Sequence, residues 1–225
     1  MADLKLVIFD VDGTLVDSQA AIVGAMTHAF AAVDAPLPAR DVLLSIVGLS
    51  LDHAMPRLAP DLEPAAHDRM VEAYRDTFRA NRLSQGEASM PLYPGALEAL
   101  QALAEIPEVL LGVATGKSRR GLDAMIEAHG LEKYFVTRQV ADDHPSKPHP
   151  SMILTAMSET GVDAVDTVMI GDTEFDMAMA AAAGVAGLGV SWGYHPVHML
   201  QPSRAILDDF GALAGQLEAL WKEPA

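Results

Sequence analysis

Two carboxylates, Asp10 and Asp12, follow directly on the apolar run Leu6-Val7-Ile8-Phe9, and Gly13-Thr14-Leu15-Val16 come after them. A short continuous apolar run, partly β-branched, is the pattern of a strand buried on both faces. Acids at its end carry a cost, because a buried unpaired carboxylate is unfavourable and two side by side repel. In an extended segment Asp10 and Asp12 share one side. A cation between them removes the conflict. The chemistry predicted here is Mg²⁺, which prefers oxygen ligands, beside a nucleophilic aspartate.

Further groups stand where they can join this pair. Thr115 ends the apolar run Val109–Thr115, Asp172 follows Thr167–Ile170 and Gly171, and Lys147 sits between strands in Ser146-Lys147-Pro148. Singly, each has an ordinary explanation: a strand-end Asp forms turns, a Thr caps, and a lysine beside prolines is a solvated loop residue. Together they fit a parallel sheet, whose carboxyl edge is where open α/β proteins bind ligands.

The elements that must position these groups follow from the rhythm of the chain. Asp17–Val33 carries Ile22, Met26, Phe30 and Val33 at helical spacing, with Asp17 or Ser18 as cap and Pro36 and Pro38 beyond. Asp41–Val47, Leu51–Leu58 and Pro64–Arg82 read as further helices, the last with Met70, Val71, Tyr74 and Phe78 on one face. No strand pattern falls between 17 and 82, which predicts an all-helical insert. Arg82–Pro94, with Ser84, Gly86, Ser89, Pro91 and Pro94, reads as a connector. After it come helices at Gly95–Ala104, Ser118–His129, Pro150–Thr160, Glu174–Ala183 and Gly211–Trp221. Strands alternate with them at Val109–Thr115, Tyr134–Val136, Thr167–Ile170, Val185–Val190 and Ala205–Leu207. That alternation predicts parallel strands with right-handed crossovers. Gly130, Gly161 and Gly184, each before an apolar residue, predict Schellman-type helix stops.

Composition narrows the function. The chain has 225 residues, half of them apolar, enough for one large domain or a domain with an insert. The absence of cysteine excludes disulfides, thiolate zinc sites and cysteine nucleophiles. A net charge of −16, from 15 Lys+Arg against 31 Asp+Glu, argues against nucleic-acid partners and requires a local cationic pocket for any anionic substrate. No apolar run reaches the roughly 18 residues of a membrane span, and no signal peptide precedes the first strand, so a soluble cytoplasmic protein is expected.

The motifs resemble those of the haloacid dehalogenase superfamily, and within it the phosphatases with a helical cap (subclass I, C1) inserted after the first strand, similar to the phosphoglycolate phosphatase subgroup. Residues 10–18, DVDGTLVDS, resemble the first motif; ATGKS at 114–118 the second; Lys147 in SKPHP the third; and GDTEFDMAMAAAAG at 171–184 the fourth. LYPGALEAL at 92–100 resembles the re-entry from cap to core. The resemblance implies a Rossmann-like α/β core, a parallel three-layer sandwich formed by residues 1–16 and 83–225, with an all-helical cap domain at 17–82.

It also implies roles. Asp10 would be the nucleophile and form an aspartyl-phosphate, and Asp12 the general acid and then base. Asp10, the backbone carbonyl of Asp12, and Asp172 would hold Mg²⁺, with Asp176 an anchor behind them or a ligand through water. Thr115 and the Gly116 N–H would bind phosphoryl oxygens, and Lys147 would neutralise both nucleophile and phosphate. An acid at position 12 argues for phosphate chemistry over dehalogenation or phosphonate cleavage. The implied substrate is a small phosphorylated metabolite, phosphoglycolate first, and the chain a monomer or homodimer. The alternatives are a phosphosugar mutase (β-phosphoglucomutase-like) and a non-catalytic phosphate or metal sensor.

Val47-Gly48-Leu49-Ser50 resembles the loop that reaches over the active site in this subfamily. Arg57 and His53, on the helix after it, are candidates for substrate contact or solvated helix positions. Ser118 is expected to cap its helix. Lys117, Arg119 and Arg120 read as surface charges, Lys117 the best placed to assist. His144, His149, His195 and His198 lack metal spacing. Trp192-Gly193-Tyr194 is expected to pack or turn near the active edge.

Overall fold

The computed structural model describes residues 4–85 and 90–222. β1 (Lys5–Phe9) lies at the centre of its sheet, with Leu6, Val7, Ile8 and Phe9 fully buried. It pairs in parallel with β2 (Val109–Thr115) on one side and β4 (Thr167–Gly171) on the other. With β3 (Phe135–Val140), β5 (Ala186–Val190) and β6 (Ala205–Leu207), the order is β3-β2-β1-β4-β5-β6, parallel throughout.

Alternation along β1 sends its side chains to two apolar layers. Val7 and Phe9 pack with Leu100 of α5 (Ala96–Ala104), Leu122 and Met125 of α6 (Arg119–Ala128) and Leu213 of α9 (Leu213–Lys222). Leu6 and Ile8 pack on the other face with Met152 and Ile153 of α7 (Ser151–Thr160) and Met179 of α8 (Glu174–Ala183). At roughly 1.5–3 kcal/mol for each large apolar side chain removed from water, these two layers hold β1 and its carboxyl end in place. The result is the expected Rossmann-like α/β sandwich.

Between β1 and α5 the described chain is helical: α1 (Gln19–Ala31), α2 (Arg40–Leu44), α3 (Leu51–Leu58) and α4 (Pro64–Gln85). These helices bury a cluster of their own, with Ile22, Met26, Phe30, Leu43, Met55 and Met70 at its centre, and Phe175 of α8 joins it.

Some boundaries differ from expectation. α4 continues past Arg82 to Gln85, so the connector starts later, and its residues 86–89 lie outside the described chain. β3 runs to Val140, well past Val136. Its polar residues hid it: Thr137 Oγ1 and Gln139 Nε2 both donate to Glu159 of α7, at 2.5 and 2.8 Å. Ser18 precedes α1 but does not cap it, whereas Asp17 Oδ1 accepts from the Gln19 N–H at 3.2 Å. The last helix begins with a 3-10 turn, Phe210–Ala212. Gly130 and Gly184 are left-handed and close 6→1 bonds, Leu131 N–H to Ile126 and Val185 N–H to Ala180, while Gly161 makes the simpler stop. No helix among the described residues is long and apolar enough to cross a membrane.

Candidate active site

Strand register collects the reactive groups. Phe9 is level with Val113 of β2 and Ile170 of β4, so Asp10, Thr115 and Asp172 leave the sheet side by side. The turn after Asp10 is drawn tightly against Asp172. Gly13 has φ +83°, and a Cβ there would sit 2.1 Å from Asp172 Oδ2. Thr14 Oγ1 donates to Asp172 Oδ1 at 2.9 Å and the Tyr194 N–H donates to Oδ2 at 2.8 Å.

Asp10, Asp172 and Asp176 are buried, and each offers a carboxylate oxygen within 4.8 Å of the others. Lys147 lies behind them, its Nζ 2.9 Å from Asp10 Oδ1 and 2.6 Å from Asp176 Oδ1. Asp176 Oδ2 accepts from Thr173 N–H (3.0 Å) and Oγ1 (2.7 Å), which caps α8. Beyond that ion pair, neither oxygen of Asp10 has a hydrogen-bond donor among the described residues. Burial, joined by Asp176 and Asp12, pushes the Asp10 carboxyl up to about 7 against the lowering pull of Lys147. Asp172 is likewise raised well above the carboxylate range, by burial and then by Asp176 and Asp10. Burial alone would lower Lys147, but the two aspartates outweigh it and hold the ammonium charged. Three buried carboxylates face one lysine. An orphaned oxygen and an excess of negative charge suit a divalent cation with oxygen ligands.

Asp12 has partners of its own. Its Oδ1 lies 2.8 Å from Lys117 Nζ and accepts from Ser18 Oγ at 2.5 Å. Ser18 Oγ is in turn 2.8 Å from the Tyr194 hydroxyl, which the Ser18 N–H also reaches at 3.0 Å. Lys117 is therefore not a surface charge. Its side chain is 8% exposed, and its Nζ stands 4.8 Å from the centre of the Phe78 ring on α4. Ser118 caps α6 as expected, accepting from the Gly121 N–H at 3.2 Å.

Above Asp10 and Asp12 lies a cavity of about 190 Å³. Its floor includes Thr115, Gly116 and Lys117, and its roof includes Val47, Leu49, Tyr74 and Phe78. The roof loop rests directly on Gly116, where a Cβ would come within 2.7 Å of the Gly48 carbonyl oxygen and 2.8 Å of that of Leu49. Lys147, expected to touch the phosphoryl group, does not line this cavity; it is enclosed between Asp10 and Asp176. Arg57 and His53 are not in its wall either. Arg57 lies over the Phe175 ring at 5.6 Å, and His53 Nδ1 is 3.0 Å from Ser50 Oγ. Arg75 and Arg79 of α4 line it instead. Their signal in the sequence is a four-residue spacing, each one residue past Tyr74 and Phe78.

The loop after β5 contributes more than packing. Besides Tyr194, it supplies Trp192, whose Nε1–H donates to the Thr14 carbonyl at 3.1 Å. His195 is buried, accepts at Nδ1 from the Glu174 N–H (3.2 Å), and so donates from Nε2 to the Ser45 carbonyl (3.0 Å). Ser50 N–H donates to Ser146 Oγ at 2.9 Å. These two bonds join the α2–α3 region to the sheet's active edge.

Over residues 7–190 the chain matches the haloacid dehalogenase-like hydrolase family. It is 40% identical over 222 residues to the probable phosphatase IndB of Dickeya dadantii, covering 96% of this chain and 95% of that one. It is 34% identical over 219 residues to the phosphoglycolate phosphatase of Agrobacterium fabrum, covering 94% and 91%. A solved hydrolase from Pseudomonas syringae shares the fold with a TM-score of 0.83 at 23% identity, over 96% of this chain and 98% of that one. The matched span contains the sheet edge with Asp10, Asp12, Thr115 and Asp172 together with the helices that roof it, and the chain belongs to the haloacid dehalogenase-like hydrolase family, as a phosphatase similar to the phosphoglycolate phosphatases.

Proposed function

We propose that this chain is a Mg²⁺-dependent phosphatase of small phosphomonoesters that works through an aspartyl-phosphate on Asp10. In this reading residues 17–82 form a cap domain over a core of residues 1–16 and 83–225. The observation that carries it is Asp10 itself: a buried carboxylate with no hydrogen-bond donor among the described residues besides the Lys147 ammonium, in the wall of a cavity and beside two more acids.

An Asp10 oxygen attacks phosphorus, forming an O–P bond as the ester P–O bond breaks, and the leaving alkoxide takes a proton from Asp12. Water then attacks phosphorus and gives its proton to Asp12; the Asp10–phosphoryl bond breaks, releasing phosphate and restoring both residues. Thr115 Oγ–H and Gly116 N–H donate to the phosphoryl oxygens, and Lys147 offsets the charge on Asp10. Asp176 holds Lys147 in place. Ser18 and Lys117 fix the Asp12 side chain. Asp10, the Asp12 carbonyl and Asp172 would hold Mg²⁺, which supplies charge neutralisation for the phosphoryl group.

Phosphoglycolate is the first ester to test, because relatives such as the Agrobacterium protein bear that name. The experiment is a panel of phosphomonoesters assayed for phosphate release with Mg²⁺ and with chelator. The expected result is release that requires Mg²⁺; equal rates with chelator, or no release from any ester, would overturn the proposal. Net release of phosphate also separates hydrolysis from transfer between sugar hydroxyls.

A further inference from the structure

The cavity's floor and roof ask for different things. The floor is polar and suited to a phosphoryl group. Much of the roof is apolar: Ile22 and Met26 of α1, Val47 and Leu49 of the loop, and Tyr74 and Phe78 of α4 line it. The last two rings stack, with centroids 5.6 Å apart and planes at 20°. The Tyr74 hydroxyl has no hydrogen-bond partner among the described residues.

Cations in the cavity wall are either committed or peripheral. Lys117 is against Asp12 at 2.8 Å and over Phe78 at 4.8 Å. Arg75, Arg79 and Arg120 also line the cavity, but all are exposed at its rim. A carboxylate on the leaving group would therefore have to lose water against apolar side chains, or take Lys117 from Asp12. An apolar leaving group loses nothing by entering.

We infer that the preferred substrate is a phosphomonoester whose alcohol carries a neutral, ring-sized apolar body, packed against the Tyr74–Phe78 pair. This rests on the phosphatase reading above and refines it: phosphoglycolate, small and with a carboxylate besides its phosphate, satisfies the floor but not the roof. Apolar contact with the edges of the Tyr74–Phe78 pair supplies the selectivity.

The test compares kcat/KM for benzyl phosphate, ethyl phosphate and phosphoglycolate with Mg²⁺ present. All three leave as primary alkoxides, which keeps the chemical step comparable. Benzyl phosphate is expected to exceed ethyl phosphate by about tenfold or more, and to exceed phosphoglycolate. Phe78→Ala should reduce the benzyl-to-ethyl ratio by about tenfold, and Phe78→Tyr, which keeps the ring, should retain it. Reading the ratio removes any effect of Phe78 on Lys117 that both esters share. Phosphate release with phosphoglycolate preferred, or a ratio unchanged in Phe78→Ala, overturns the inference and leaves the phosphatase reading standing. No Mg²⁺-dependent release from any of the three removes the inference, and no release across the wider panel removes the phosphatase reading as well.

Discussion

At Asp10 burial and charge pull in opposite directions. The carboxyl is pushed up to about 7, first by burial, yet in the mechanism proposed above it has to be ionised to bind Mg²⁺ and attack phosphorus. Proton and metal therefore compete for it, and Mg²⁺ affinity should climb as pH rises through about 7, by up to roughly tenfold per unit below that point. Calorimetric titrations at about pH 6 and about pH 8 check this, and equal affinities would contradict it. Asp172→Ala should weaken Mg²⁺ binding by about tenfold or more, read by the same titration. The strand-end groups Asp10, Asp12, Thr115 and Asp172 were legible because polar side chains interrupt apolar runs. Lys117 was not: its burial depends on Phe78 and Met90, distant in sequence, and no local pattern separates it from Arg119 and Arg120, its basic neighbours. Arg57 stayed open between substrate contact and a solvated position for the complementary reason, since helical spacing gives a face but not what that face meets, here the Phe175 ring.

Among the elements, the roof loop and the His195 loop set how the helices sit on the sheet. Gly116→Ala places a methyl group against the Gly48 and Leu49 carbonyls, at 2.7 and 2.8 Å, and must lift that loop. We expect kcat/KM to fall by about tenfold or more, because a small misplacement of catalytic partners is costly, and the melting temperature to fall as well, because the atoms met are backbone. Burial lowers the pKa of His195 below the ordinary histidine value and outweighs the opposing pull of its hydrogen bond to the Ser45 carbonyl and of the nearby Glu174 and Asp176. Here the sign is that of a depressed base. On acidification the unfolded chain takes up the proton first, near 6.5, so this stabilisation is complete above that pH and is lost as pH falls below it. Urea melts of wild type and His195→Ala across this range check it: the variant should lose that part of the slope and about 1–3 kcal/mol at neutral pH. The spans of β2, α3 and α8 were readable because apolar pattern and breakers agreed. β3 and the end of α4 were not, since a buried polar network hid one and a Ser- and Gly-containing stretch obscured the other. The Ser18 cap failed because its hydroxyl serves Asp12.

Across the whole molecule, the parallel α/β order and the helical insert were evident from the alternation of patterns, whereas the meeting of α4 with the sheet's active edge is a tertiary fact that neither segment records. The same fold concentrates an excess of buried negative charge at one edge, in a chain already at −16. Mg²⁺ at about 100 times its Kd should add roughly 2.7 kcal/mol of stability. For a domain of this size that is a rise of roughly 5–10 °C in melting temperature, and Asp172→Ala should abolish most of it. The covalent step on Asp10 can be caught by acid-quenching the enzyme during turnover and mass mapping its peptides. The predicted result is one phosphoryl group on the peptide containing Asp10, formed only with Mg²⁺, together with a loss of turnover of about a thousandfold or more in a folded Asp10→Asn variant. A phosphoryl group on another residue, or turnover retained by Asp10→Asn, would contradict it.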